Sequence, residues 1–191
     1  QEKSSINKQK YLRKLGCGTR TGSRNYGQLI QAGVTWNEER EEAWKRSADM
    51  LAELAEYAQT KHIHLAMESL RPQESNLATT VYDVRRMLEE INHPYLKAMI
   101  DITAMGVAGE TIDQWFEVLG NDIIHTHFID GNPYGHLIWG DGNHDMCQFL
   151  KALKRNHYTG FLGQEITEFS YFEHPEEADL RNMKMYERFM E

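Results

Sequence analysis

Four side chains able to ligate a metal ion, Glu68, Asp101, His127 and Glu165, each close a short apolar run: IHLAME, LKAMID, DIIHTH and FLGQE. The intervals between them are 33, 26 and 38 residues, each enough for a loop, a helix and the next strand. Groups distant in sequence can therefore meet at neighbouring strand ends. Three carboxylates and one imidazole suit a single hard or borderline divalent cation, because oxygen donors favour Mg, Mn and Ca while imidazole adds affinity for later metals. Mn, Co or Mg is the expected ion, with Zn as a further option. His125 stands two residues before His127 and so points to the same side of an extended strand, one layer deeper. It is read as a hydrogen-bonded core histidine.

The elements that must position these groups alternate regularly. Apolar residues from Thr35 to about Thr60 (Ala43, Trp44, Ala48, Leu51, Leu54, Ala55, Ala58) follow helical spacing, with Thr35 and Glu38 as a capping box. KHIHLAM reads as a strand ending at Glu68, and SLRPQESN as a polar loop. A helix over Thr80 to Ile91, strand YLKAMID and a helix over Glu110 to Leu119 follow. Strand DIIHTHFID then precedes a Gly-, Asn- and Asp-rich loop from Gly131 to Asn143. A helix over Asp145 to Asn156, strand FLGQEIT and a helix opening at Pro175 complete the order. The Gly-x-Gly of WGDGNH lacks a following helix N-terminal pattern and is read as a flexible loop, not a phosphate cradle.

Alternating helices and strands imply parallel pairing with right-handed crossovers, in a barrel or a doubly wound sheet. One ligand from each of four consecutive strand ends favours the barrel, whose strands deliver residues to one mouth. The expected fold is a single α/β domain over residues 1–191, a (β/α)8 TIM barrel. Eight units need about 250 residues, whereas the chain has 191 and four clear strands, plus a doubtful one at Gly16 to Gly22. The reading is therefore an N-terminally truncated barrel holding about strands 4 to 8. Exposed strand edges would make a homo-oligomer one way to cover them.

Composition narrows the partners. A formal net charge of −8 and a pI near 5.6 oppose nucleic acid and anionic membrane surfaces, and favour a small-molecule substrate. No apolar run approaches the roughly 20 residues of a membrane span. Cys17 and Cys147 stand far apart in no metal or redox pattern, which fits a reducing cytoplasm.

The stretches MESLRPQESN, MIDITA, HTHFIDG and GQEIT, in that order, resemble the xylose-isomerase-like sugar isomerase and epimerase barrels, especially the ketose 3-epimerases and the fructoselysine 3-epimerase branch. The resemblance runs from about Tyr26 to the C-terminus. It implies that Glu68, Asp101, His127 and Glu165 hold the metal and that Glu68 and Glu165 also act as an acid and base pair. The implied reaction is 3-epimerisation or isomerisation of a ketose or ketose adduct through an enediolate: one carboxylate takes a proton from the carbon beside the carbonyl and the other returns it. Glu74 matches a family position that contacts substrate hydroxyls, the alternative being a solvated loop glutamate. Asp130, at the mouth after the His127 strand, is expected to contact substrate or to stabilise the turn. Psicose-type enzymes carry a histidine three residues after the Asp101 position; here Ala104 stands there, as in the fructoselysine branch, which favours a modified ketose. Two other readings stand beside this one: a non-catalytic barrel that keeps its metal site, and an apurinic endonuclease of the same superfamily, for which an acidic chain is a poor match.

Overall fold

A computed structural model of the chain describes residues 26–29 and 39–190, position 133 excepted. Five parallel strands lie in one sheet in sequence order: β1 (Tyr26–Leu29), β2 (His64–Glu68), β3 (Leu96–Asp101), β4 (Ile123–His127) and β5 (Phe161–Gly163). Between and after them run α1 (Arg40–Gln59), α2 (Val81–Ile91), α3 (Ile102–Val107), α4 (Ile112–Leu119), α5 (Met146–Arg155) and α6 (Pro175–Met190). The four strands read from the sequence are all present. A fifth, β1, was not foreseen; it pairs with β2 from Tyr26↔His64 to Leu29↔Met67. The doubtful strand at Gly16 to Gly22 and the Thr35/Glu38 capping box lie outside the described residues.

Local chemistry sets the helix ends. The Thr80 hydroxyl accepts from the Asp83 N–H, and the Asp83 carboxylate accepts from the Thr80 N–H, closing a reciprocal cap on α2. Asn92, in the left-handed region at φ 46°, ends that helix. Glu110, expected as the first residue of a helix, lies before α4. Its carboxylate accepts from the Val81 N–H at 3.0 Å and from Trp115 Nε1 at 2.7 Å, which ties the start of α2 to α4. The short helix α3 was also unforeseen. It begins because Asp101 Oδ1 accepts from the Ala104 N–H at 2.7 Å, so the last residue of β3 is also the cap of the next helix.

Alternation along the strands sorts side chains to two faces. Leu65, Met67, Ala98 and Ile100 pack with Trp44, Leu51, Val84 and Trp115 of the helices in one continuous core. On the other face Ala66 and Met99 are buried outside that core, in line with Glu68 and Asp101. The register is regular except between Ala98 and Met99, where the partner advances from Ile123 to His125. That one-residue slip is decisive. Continuing the Ala98↔Ile123 register would set Asp101 beside Thr126, whereas the slip sets it beside His127. His127 in turn pairs with Gly163, two residues before Glu165.

Gly163 owes its lack of a side chain to its neighbours. A Cβ there would come to 2.7 Å from His125 Nε2 and 3.0 Å from the Thr126 carbonyl. Gly163→Ala is expected to destabilise the fold by about 1–3 kcal/mol through overpacking, measured by urea unfolding; a cost below about 0.5 kcal/mol would mean that the His125 ring is not fixed against β5.

Candidate metal centre

The fold brings the four expected ligands to one point. His127 Nδ1 lies 2.9 Å from Glu165 Oε2, 3.0 Å from Glu68 Oε1 and 3.2 Å from Asp101 Oδ2. Glu68, Asp101 and His127 are 3–5% exposed; the Glu165 side chain, in the loop past β5, is 31% exposed. One ligand atom from each of the four can be chosen so that all lie within 4.8 Å of one another. Donors about 2.1 Å from a shared ion stand at most about 4.2 Å apart, so only a small contraction would seat one.

The electrostatics show what charge the cluster favours at its centre. Burial, the strongest influence on His127, works against a charged imidazole, yet its hydrogen bonds to Asp101, Glu165 and Glu68 outweigh this and push it up to about 11. Burial likewise raises Glu68, and the His127 hydrogen bond only partly offsets that. At Asp101 burial is again the largest influence and acts upward, but His127, His136 and the Ala104 N–H together hold the carboxyl far below its usual range. Glu165 is also lowered: burial opposes the charge, and the hydrogen bond and charge of His127 and the charge of His136 prevail. Three carboxylates in a shared low-dielectric space thus demand a positive charge, and without an ion a proton on His127 supplies it.

Other expected residues sit around this centre. His125 lies below His127 with ring centroids 5.6 Å apart, and burial lowers its pKa to about 4, which keeps it neutral. Glu74 lines the cavity over the cluster and pairs with Arg71, whose Nε lies 3.0 Å from Glu74 Oε2; that hydrogen bond holds the Glu74 carboxyl below its ordinary range. Asp130 takes the expected turn-stabilising role. It is 1% exposed, its Oδ1 accepts from the N–H of Gly131 and His144, and its Oδ2 accepts from the N–H of Gly140 and Gly142. These bonds also correct the reading of WGDGNH as a flexible loop. The segment is pinned to the Asp130 side chain by three of its N–H groups and to the Gly131 carbonyl by the Asn143 N–H, and a Cβ at Gly142 would meet the Asp130 carboxylate and the Gly131 carbonyl.

The same loop delivers His136, a site residue not foreseen. Its Nε2 lies 3.4 Å from Asp101 Oδ2 and 3.6 Å from Glu165 Oε2. With Glu68, Ser69, Arg71, Glu74, Ala104, Glu165 and Thr167 it lines a cavity of about 250 Å³ over the cluster. The one sequence signal was a histidine within a loop that follows a ligand strand; its direction depends on the Asp130 turn.

A model of the xylose isomerase-like TIM barrel matches residues 8–188. The chain belongs to that family. Among relatives of the xylose isomerase-like barrel, fructoselysine 3-epimerase of Escherichia coli O157:H7 is 33% identical over 125 residues, 64% of this chain and 46% of that protein. L-ribulose 3-epimerase of Methylomonas sp. (strain DH-1) is 28% identical over 114 residues, 60% of this chain and 39% of its own length. The solved structure of a D-tagatose 3-epimerase-like protein superposes with a TM-score of 0.72 at 20% identity, over 86% of this chain and 61% of the other, and so shares its fold. The chain spans about half the length of the curated relatives it matches. Among the described residues no helix is long and apolar enough to cross a membrane.

The donor set of Glu68, Asp101, His127 and Glu165 fits a divalent ion, whose charge would replace that of the proton on His127. Because His127 is protonated well above neutral pH, uptake of an ion at pH 7 is expected to release at least one proton, and affinity should fall about tenfold for each unit of acidification. Calorimetric titration of metal-free protein with Mn²⁺ in two buffers of different ionisation enthalpy measures this; ion binding without proton release would contradict the charge assignment.

Proposed function

We propose that the protein is a metal-dependent 3-epimerase or isomerase of a ketose or ketose adduct, with Glu68 and Glu165 as its acid and base pair. The observation that carries this reading is the convergence of Glu68, Asp101, His127 and Glu165 beneath an open cavity. The epimerase relatives at 33% and 28% identity support the reaction class. A divalent ion held there would supply Lewis-acid polarisation of a carbonyl, without which a neighbouring C–H is too weak an acid for a carboxylate to ionise.

The protein groups account for the proton. Glu165 is held ionised, is partly exposed and lines the cavity, and so is suited to take the proton at C3. Glu68 is almost wholly buried and its pKa is raised, which suits it to return a proton from the other side. Two carboxylates pushed apart by their surroundings are a common basis for an acid and base division. Removal from one face and return to the other inverts C3 through an enediolate; return to a different carbon gives the isomer instead.

Glu165→Gln, assayed at saturating Mn²⁺, is expected to slow exchange of the substrate C3 proton with D2O by about 10²–10⁴-fold, followed by proton NMR with fructoselysine and D-fructose. Exchange retained at the wild-type rate would remove Glu165 from the base role. Wild-type protein that takes up one ion yet exchanges no C3 proton would favour the non-catalytic reading, and a stoichiometry of three ions the endonuclease one.

A further inference from the structure

Two groups lining the cavity are not used by the proposed proton transfer. Ser69 follows Glu68 directly, is 1% exposed and lines the cavity, yet its hydroxyl has no hydrogen-bond partner among the described residues. Buried polar groups are almost always paired, because an unpaired one loses its hydration without return. The contrast with Arg71 and Glu74 is informative: those two satisfy each other in the same wall, and Ser69 lacks such an answer.

His136 supplies the second group. Its ring is held from behind: Nδ1 is 3.0 Å from the Thr167 hydroxyl, and the Thr167 N–H donates to the His136 carbonyl at 3.2 Å. The Thr103 hydroxyl donates to the Gly135 carbonyl at 2.9 Å, so α3 and the loops after β4 and β5 are stitched together at this residue. Nε2 faces the Asp101 and Glu165 carboxylates and so carries a proton whether the ring is neutral or charged, which makes it a donor in either state. Its distances of 3.4 and 3.6 Å to Asp101 and Glu165 exceed the 2.9–3.2 Å of the three His127 contacts. His136 is therefore beside the ligand cluster and not part of it.

Above the ligand carboxylates, an N–H donor, a buried hydroxyl unpaired among the described residues and the methyl of Ala104 share the wall of a cavity of about 250 Å³ with Leu70 and the mutually paired Arg71 and Glu74. That combination matches a short neutral chain carrying several hydroxyl groups, in a space close to the lower end of small-molecule pockets, about 300 Å³. We propose that Ser69 Oγ and His136 Nε2 hydrogen-bond hydroxyl oxygens of a bound ketose and so hold its chain against the metal cluster. This rests on the epimerase reading for the class of ligand.

The test uses Mn²⁺-loaded protein and its Ser69→Ala, His136→Ala and His136→Gln variants, with fructoselysine and D-fructose as probes. Each alanine variant is expected to weaken binding of the better probe about tenfold by calorimetry, the worth of one hydrogen bond, and to raise KM more than it lowers kcat. Mn²⁺ affinity should stay within about twofold of wild type, and His136→Gln, which keeps an N–H donor, should recover part of the loss. The Ser69→Ala melting temperature should be equal or higher, since the hydroxyl it removes has no partner among the described residues. Unchanged probe binding in both alanine variants overturns the inference, as does a tenfold fall in Mn²⁺ affinity on His136→Ala or a lowered melting temperature for Ser69→Ala. Wild-type protein that binds neither probe with Mn²⁺ present also overturns it. Binding without C3 exchange leaves this inference standing and removes only the epimerase reading.

Discussion

Three carboxylates held around one imidazole nitrogen govern much of the rest of this molecule. Glu68, Asp101 and Glu165 are brought to 2.9–3.2 Å from His127 Nδ1 in a largely buried space. Like charges at such distances repel strongly when water is excluded, so the arrangement calls for a positive charge at its centre and a rigid backbone around it. Part of that rigidity comes from splitting one side chain between two tasks. Asp101 Oδ1 caps α3 through the Ala104 N–H, and Oδ2 faces His127. Folding of the helix and placement of the ligand are thus one event.

Support for the mouth comes from another buried carboxylate. Asp130 gathers four backbone N–H groups and turns a glycine-rich segment into a fixed loop. Acceptance of several N–H donors is the usual way a buried carboxylate is compensated. The consequence reaches the cavity, because the same loop aims His136 toward Asp101 and Glu165. Beneath, the strand face carrying Ala66, Met99 and His125 fills the layer under the ligands, and Gly163 leaves the room that the His125 ring occupies.

Much of this is legible in the sequence. Strong periodicity exposed the long helices: Ala43, Trp44, Leu51, Leu54 and Ala58 face the core of α1, and Val81, Val84 and Leu88 that of α2. Continuous apolar runs ending in a carboxylate or a histidine exposed β2, β3, β4 and β5. Short or weakly patterned elements escaped. The strand YGQL of β1 has a glycine and a glutamine in four residues, and α3 is six residues long with no polar face. Glu110 looked like a helix residue because its charge suits a first turn, but its bonds to Val81 and Trp115 cross between elements and leave no mark on local spacing.

The order of Glu68, Asp101, His127 and Glu165 at four successive apolar-run ends determined by itself that a metal-like donor set would form on a parallel α/β sheet, because residue type and strand-length spacing are local properties. Tertiary structure alone decided the geometry that makes the set usable. The slip between Ala98 and Met99 sets Asp101 beside His127, the Asp130 bonds bring His136 over the cavity, and Ser69 is buried with no hydroxyl partner among the described residues. Each depends on register, loop path or solvent exclusion. Those are settled by contacts between segments far apart in the chain, where sequence spacing carries no information.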